Sequence, residues 1–350
     1  MKINKTIYPL GLKKLTAIFC LLLLFVATAC EQQSAGVATE EQTVDINLNI
    51  FLGLKAVPDN GTEQERKVTS LRVYAFHPNG YLDKMEYVEN ATGLTGNPYV
   101  MDMTIFSGQK IFCLVANEPS RLTSVLSSIK NRWDLQALTM QTSDFTFNDL
   151  VQGLLPMTST TSATITSNHT APVNLSLERA VAKTEIKIIK DKDNPDVVKL
   201  KSIQVRNTPD KSRLMENNLL DVSSSLVNFA AQDHGSVIVG STPADTLTLH
   251  PGYLFEHHTG VGDPATLNST VLHTVLNIKG TDMEYAIPLH TIASDAQKHN
   301  NVLRNHYYRL IVTVGDGALQ VDYTIIDWDE ETTLDKELGK KTTNQLRINK

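Results

Sequence analysis

Histidine and acidic side chains come closest to a metal-binding pattern at His250, Glu256, His257 and His258. Imidazole nitrogens and carboxylate oxygens are common zinc ligands. Neighbouring residues of a strand point to opposite faces, however, so His257 and His258 would not bind the same ion. We therefore predict no metal site in this segment.

A second acidic segment, Asp327-Trp328-Asp329-Glu330, offers carboxylates for calcium and an aromatic ring for a sugar. The alternative is the exposed end of a strand with Trp328 packed into the core, since indole rings are highly buried on average. The sequence favours this second interpretation.

Catalytic motifs are missing from the sequence. An enzyme needs a nucleophile with its base, paired carboxylates in a cleft, or a metal cluster. The chain contains no Gly-x-Ser-x-Gly, no glycine-rich phosphate loop, no His-Glu-x-x-His and no Cys-x-x-Cys. We predict that it is not an enzyme and that it carries no cofactor.

Cys30 is the residue whose surroundings indicate a covalent modification. Residues 1–14 contain four lysines, and an apolar run of about a dozen residues follows, shorter than the roughly 20 that a membrane span needs. Ala27-Thr28-Ala29 precede Cys30, and a polar segment follows it. This arrangement resembles a bacterial lipobox, in which the cysteine is acylated and becomes the new N-terminus. The alternative is an ordinary secretory signal cut after Ala29.

The mature chain is acidic and has few cysteines. Loss of residues 1–29 takes away four lysines and no acids, which changes the formal net charge from −6 to −10. An acidic protein repels nucleic acid, so we expect no nucleic-acid partner. Of three cysteines, only Cys113 remains for the folded part, which leaves no intramolecular disulfide.

Alternation of apolar and polar residues dominates the chain after residue 43 and predicts β-strands. It is clearest in Val44-Asp45-Ile46-Asn47-Leu48-Asn49-Ile50. Further strands are predicted near residues 71–76, 110–115, 173–177, 184–188, 202–205, 271–278, 307–314 and 320–326. Helices are predicted at residues 119–126 and 131–138. This pattern indicates an all-β fold of β-sandwiches with few short helices.

A weak internal repeat indicates two such sandwiches. Each begins with a strand (44–50 and 181–189), continues with a polar loop, and follows with a Ser-aliphatic-polar-Val strand. The predicted organisation is a lipoprotein signal peptide (1–29), a flexible tether (30–42), an N-terminal β-sandwich (43–176) and a C-terminal β-sandwich with a tail (177–350).

Several segments together resemble the fimbrillin family, the subunits of the type V pili of Bacteroidales. Their order and spacing extend over nearly the whole mature chain. The matching segments are residues 68–76 with the turn Asn79-Gly80, residues 111–119, Leu155-Pro156-Met157-Thr158, residues 177–183, residues 304–308 and Ile326-Asp327-Trp328.

The resemblance implies two tandem transthyretin-like β-sandwich domains, export as a lipoprotein to the outer membrane, and assembly into an adhesive surface fimbrium. In this family an arginine-specific protease removes the first strand by cutting in the following loop, and a strand from a neighbouring subunit fills the groove. The implied partners are that protease and other fimbrial subunits. An open sheet edge beside uncovered core binds another chain through backbone pairing and apolar pockets.

The resemblance places strand exchange and cleavage at specific residues of this chain. Arg66 matches the cleavage residue and lies in the polar segment 58–67, which we expect to be a loop open to a protease. The alternative is that residues 63–67 are only a solvated charged loop. The apolar face of the removable strand comprises Val44, Ile46, Leu48 and Ile50.

The C-terminal tail departs from the pattern of a polymerising stem subunit. The 22 residues after Trp328 are polar, and only Leu346 and Ile348 alternate as a donor strand requires. A pilus anchor or a tip subunit is therefore an alternative within the family. A glycan-binding surface lipoprotein is another, which exposed aromatic residues would favour, although Trp133 and Trp328 both fit a core position.

Substitution of Cys30 tests the lipid assignment, because acylation needs the thiol. We expect Cys30→Ala to remain unlipidated and to lose its membrane anchor. Metabolic labelling with a fatty acid should give a signal on the wild-type protein and none on the variant. Equal label on both would refute the assignment.

Overall fold

Strands make up most of the protein in this computed structural model, which describes residues 42–52, 62–90, 92–145, 154–216, 225–259, 268–289, 301–316, 318–327 and 345–349. The all-β prediction is confirmed. The predicted signal peptide and nearly all of the predicted tether, with Cys30, lie outside these ranges. The strands are β1 (Thr43–Phe51), β2 (Ser70–Phe76), β3 (Leu82–Glu89), β4 (Tyr99–Phe106), β5 (Gly108–Ala116), β6 (Thr139–Gln141), β7 (Met157–Ile165), β8 (Val173–Ser176), β9 (Glu178–Arg179), β10 (Ala182–Lys190), β11 (Val198–Arg206), β12 (Thr208–Pro209), β13 (Lys211–Arg213), β14 (Leu226–Val227), β15 (Gln232–Ile238), β16 (Leu247–Leu254), β17 (Val271–Ile278), β18 (Thr281–Pro288), β19 (His306–Val314), β20 (Ala318–Asp327) and β21 (Gln345–Asn349).

The helices are short. α2 (Thr123–Ser128) and α3 (Arg132–Ala137) confirm the two predicted helical segments, and Asn131 caps α3 by accepting a 2.9 Å hydrogen bond from the Asp134 backbone N–H. α1 (Glu63–Arg66) was not predicted. Short 3₁₀ turns lie at Ser120–Leu122, Thr142–Asp144 and Pro243–Asp245. None of the helices in the described ranges has the length and apolar character needed to cross a bilayer.

The N-terminal half is a sandwich of two sheets. One is three-stranded in the order β4-β1-β8, with β1 antiparallel to β4 and parallel to β8. The other is five-stranded in the order β3-β2-β5-β7-β9. Apolar residues from both sheets, among them Leu48 on β1 and Leu114 on β5, form one buried cluster. Burial of one face of each sheet against the other is what holds this half together.

The C-terminal half repeats this design. Its sheets have the orders β16-β10-β19-β20-β21 and β15-β11-β17-β18, and residues of both form a second buried cluster. β10 is antiparallel to β16 and parallel to β19, just as β1 is to β4 and β8. β11 pairs with β15 and β17, as β2 does with β3 and β5. The internal repeat inferred from the sequence is therefore present as a repeated strand order.

A third apolar cluster joins the two halves. It combines residues on the outer side of the β2–β5 sheet with both predicted helices and with residues of the C-terminal half, including Leu214 and Phe255. Phe145 and Phe255 meet edge to face, with ring centroids 6.1 Å apart. Residues Gln42–Lys350 consequently pack as one unit, and the predicted boundary at residue 176 stays a prediction.

Charging the inner face of β1 tests whether that strand belongs to the core. Ile46→Asp with Leu48→Asp removes two buried side chains worth roughly 1.5–3 kcal/mol each and adds the cost of burying charge. We expect the free energy of unfolding of the unprocessed protein, measured with urea, to fall by at least about 3 kcal/mol. The matched control is Asn47→Lys on the exposed face beside Asp102, which should change it by no more than about 0.5 kcal/mol. A double variant as stable as the control would identify residues 44–50 as a tether.

Candidate functional site

The predicted exchange strand lies in the middle of its sheet, and its inner face is fully covered. Val44, Ile46, Leu48 and Ile50 are all buried, whereas Asp45 and Asn47 are exposed on the other face. The exposed side chains bond across the sheet: Thr104 Oγ1 donates a 2.6 Å hydrogen bond to Asp45, and Asn47 donates to Asp102. The alternating pattern therefore places β1 as the sequence predicts.

Removal of β1 would open a groove with two free edges. In the described residues, β4 and β8 have no strand partner in this sheet other than β1. Without β1, the backbone groups of β4 and β8 that pair with it would lose their hydrogen-bond partners. Core residues such as Met103 and Leu175 would also be uncovered. Unpaired edges beside apolar surface are a template for another strand.

Arg66 lies at the end of a helix and not in a loop. It is half-buried in α1, which begins with a capping box: the Glu65 backbone N–H donates to Thr62 Oγ1 at 3.2 Å, and the Thr62 N–H donates to Glu65 Oε2 at 2.7 Å. Glu65 is 4% exposed, so the description of residues 63–67 as a solvated charged loop is wrong for this residue. Residues 58–61 of the expected loop lie outside the described ranges.

The Glu65 carboxylate is held by residues of the C-terminal half. Lys183 Nζ lies 2.9 Å from both carboxylate oxygens, and the Tyr253 hydroxyl donates to Oε1. Lys183 and Tyr253 are direct cross-strand neighbours on β10 and β16. The Arg179 Nε donates a 3.3 Å hydrogen bond to the main-chain carbonyl of Glu65. Both the side chain and the backbone of this residue are therefore anchored.

Electrostatics favour the ionised form of this buried carboxylate. Burial alone would raise the pKa of the Glu65 carboxyl, but the Lys183 ammonium and the hydrogen bonds from Tyr253 and Thr62 outweigh burial and leave the pKa below its ordinary value. Burial and the neighbouring Glu65 charge both raise the pKa of the Tyr253 phenol, which therefore stays protonated as a donor. Glu65, which directly precedes the predicted cleavage residue Arg66, is therefore the anion of a buried ion pair.

Of the candidate metal ligands, the structure brings Glu256 and His258 together, with His258 Nε2 3.8 Å from Glu256 Oε2, and gives the others separate partners. His250 faces Glu185 at 3.9 Å, whereas Glu256 accepts two hydrogen bonds from Arg304, at 2.7 and 2.9 Å. His257 Nδ1 lies 2.9 Å from Thr270 Oγ1. No group of three or more His, Cys, Asp or Glu side chains within the described ranges is placed to hold a metal ion.

The second acidic segment is almost entirely undescribed. Asp327 is the last residue of β20, and residues 328–330 lie outside the described ranges. Of the tail, residues 345–349 form β21 and pair with β20, with Leu346 opposite Val321 and Ile348 opposite Leu319. The two residues considered as donor-strand positions therefore lie in a strand of the chain's own sheet.

Trp133 is not a core residue, contrary to what the sequence allowed. It is 54% exposed and stands edge to face with Tyr81, which is 62% exposed, at a centroid distance of 6.5 Å. One part of the indole lies on the turn at Gly80, whose φ is +83° and where an added Cβ would lie 2.5 Å from the ring. Backbone hydrogen bonds from Arg132 to Gly80 and from Leu82 to Lys130 hold the turn against α3.

The fold defines the class: a tandem β-sandwich protein whose N-terminal sandwich has β1 at the centre of one sheet. The family model for fimbrillin-A associated anchor proteins Mfa1 and Mfa2 matches residues 42–333. The chain belongs to this family, which confirms the resemblance seen in the sequence.

Named relatives and solved structures agree with this membership. The chain is 26% identical to the major fimbrium subunit FimC of Porphyromonas gingivalis over 344 residues, which cover 95% of this chain and 73% of FimC. The structure of the tip fimbrial protein Mfa3 from the same organism, solved with a C-terminal truncation, superposes with a TM-score of 0.56 at 19% identity, covering 82% of this chain and 100% of the truncated chain. The P. gingivalis fimbrilin FimA gives a TM-score of 0.53 at 17% identity, covering 78% and 90%. These two structures establish the shared fold.

The anchored helix yields a test by proteolysis. A protease needs local opening of α1 to cut after Arg66, so loss of the Glu65 charge should speed the cut. We expect Glu65→Gln to accelerate it at least about tenfold, the factor given by an opening that is easier by about 1.4 kcal/mol. Limited digestion with an arginine-specific protease, followed by mass spectrometry for an N-terminus at Lys67, measures the rate.

Glu63→Gln is the matched control, because Glu63 lies in the same helix and is exposed. It should be cut at the wild-type rate. If all three proteins are cut equally fast, Arg66 is accessible without opening of α1.

Proposed function

We propose that this protein is a structural subunit of a surface fimbrium, exported as a lipoprotein acylated at Cys30 and held at the outer membrane by that lipid. Family membership and the tandem sandwich fold support the fimbrial role. The lipobox-like sequence supports the lipid. In this proposal the protein has no catalytic role and mediates adhesion together with other fimbrial subunits.

We further propose assembly by strand exchange. An arginine-specific protease cuts after Arg66, β1 leaves, and a strand of a neighbouring subunit takes its place between β4 and β8. The observation that carries this proposal is the position of β1: it comes first in the fold, lies centrally in its sheet, and covers the core with Val44, Ile46, Leu48 and Ile50. A vacated central position of this kind would fit an extended segment of another chain, which pairs with both edges and fills the apolar pockets.

The pairing of β21 bears on the position of the subunit along the fimbrium. β21 pairs with β20 and thereby extends the chain's own C-terminal sheet. A subunit that accepts a strand, while its own β21 stays paired with β20, does not pass β21 on to a neighbour. We therefore favour a terminal subunit, at the tip or the anchor, over a repeating stem subunit.

Processing at Arg66 tests the exchange mechanism. We expect assembled wild-type protein to begin at Lys67, which makes it 37 residues shorter than a form that begins at Cys30. Arg66→Ala should block this maturation while leaving the fold intact, because a half-buried residue at a helix end contributes little to stability. Mass spectrometry of surface material gives the N-terminus, and Lys67→Ala is the control that should mature normally. Assembled protein that retains residues 41–50 would instead identify an anchor that keeps its strand.

A second candidate function, glycan binding, is favoured by the exposed pair Tyr81 and Trp133. A sugar ring packs on an aromatic face while its hydroxyls bond to polar neighbours. Exposed Asn79 and Asp134 lie in the turn and helix that carry the two rings. The indole is fixed on the Gly80 turn, so its open surface is available without reordering.

A glycan array tests this candidate. If the pair binds sugar, Trp133→Ala should lose about five- to thirtyfold in affinity, since an aromatic contact of this size is worth roughly 1–2 kcal/mol. The control is Val125→Ala, which shortens another exposed apolar side chain on the neighbouring helix. Binding that survives Trp133→Ala would exclude this surface.

A further inference from the structure

The residues that hold Glu65 form a preformed pocket for an acidic residue. Lys183 and Arg179 are 7% and 1% exposed, and both are cationic. Lys183 and Tyr253 bind the side-chain carboxylate, and Arg179 binds the main-chain carbonyl of the same residue. The pocket therefore contacts a carboxylate and a backbone carbonyl together, which is the pattern presented by an acidic residue within a peptide.

The pocket and its occupant lie on opposite sides of the proposed cut. Lys183 is on β10, Arg179 on β9 and Tyr253 on β16, so all three stay with the mature subunit. Glu65 precedes Arg66 and leaves with β1. Cleavage and strand release would thus remove the carboxylate from a buried ammonium group.

A vacated pocket of this kind favours a new anion. A buried ammonium group that loses a carboxylate loses the hydrogen bonds and the Coulombic attraction of that carboxylate. The Tyr307 ring, whose centroid lies 5.0 Å from Lys183 Nζ, stays with the mature chain but carries no formal negative charge. A replacement from outside the mature chain would restore the original pairing.

We propose that Lys183, Arg179 and Tyr253 form a carboxylate-binding pocket that Glu65 fills in the unprocessed protein, and that an acidic residue of the neighbouring subunit's incoming segment fills after exchange. The second half of this statement rests on the proposed strand exchange. The first half does not, because the pocket is occupied by Glu65 in the uncut chain. Two experiments separate these halves.

Chemical rescue tests the pocket in the full, uncut chain. Glu65→Ala removes a fragment equivalent to acetate, so acetate should enter the space and raise the melting temperature of this variant in a saturable manner, compared with chloride at equal ionic strength. The wild type, Glu63→Ala and the double variant Glu65→Ala with Lys183→Met should give no difference between acetate and chloride. A single variant that responds equally to both salts would overturn the proposal.

Should Glu65→Ala fail to fold, the comparison of Glu65→Gln, Lys183→Met and their double variant replaces it. Non-additive losses in melting temperature support the pairing, and additive losses overturn it.

Peptide exchange tests whether the pocket of the cut protein accepts a carboxylate from a separate chain. The full chain is cut by the arginine-specific protease and mixed with a fluorescent peptide that copies residues 42–66. We expect this peptide to bind at least about tenfold more tightly than its Glu65→Gln form, the loss expected when a charged partner is removed from a buried pair. On protein carrying Lys183→Met the two peptides should bind alike.

The outcomes are distinguishable. Equal binding of both peptides to cut wild-type protein would overturn the proposed role of the pocket in exchange. A chain that is never cut after Arg66, yet shows acetate rescue, would retain the pocket and refute the strand-exchange function.

Discussion

The N-terminal sandwich depends on a strand that comes first in the fold and lies in the middle of its sheet. β1 supplies the ladder partner of both β4 and β8, and within the described residues neither of them pairs with another strand in that sheet. Buried backbone groups without partners are costly, and so is uncovered apolar surface. The requirement is for an extended segment with alternating apolar residues, and it does not specify which chain supplies it. Because a segment of either chain could meet this requirement, exchange of the strand is physically possible.

The sequence pattern predicted strands such as β1, which has one buried and one exposed face, and β2, which is buried along its whole length, but it missed several others. β7 carries a run of Ser and Thr, and β3 carries charged residues such as Lys84 and Glu86 and is nowhere fully buried, so neither shows an apolar stripe. β16 contains Pro251-Gly252 at a register shift, which in sequence resembles a turn. These strands are determined by neighbours that no local pattern contains.

The same limit applies to the candidate site. The capping box Thr62-x-x-Glu65 is visible in the sequence and could have predicted α1. The burial of Glu65 could not be predicted, because Lys183 and Tyr253 lie 118 and 188 residues further along the chain. By residue type Trp133 was compatible with a core position, whereas its exposure follows from the Gly80 turn on which it rests. Local signals locate an element, and tertiary contacts decide what its side chains do.

The repeated strand order gives a physical reason why the proposed exchange would concern only one of the two sandwiches. β10 has the position in the second sandwich that β1 has in the first, with the same antiparallel and parallel neighbours. β10, however, is joined to folded chain at both ends, and β20 and β21 extend its sheet beyond β19. A single cut after β10 would leave it attached to the first sandwich, whereas a cut after α1 would separate β1 from everything that follows. In the proposed mechanism the second sandwich would stay intact, and through Lys183 and Tyr253 it holds the segment that the first sandwich would release.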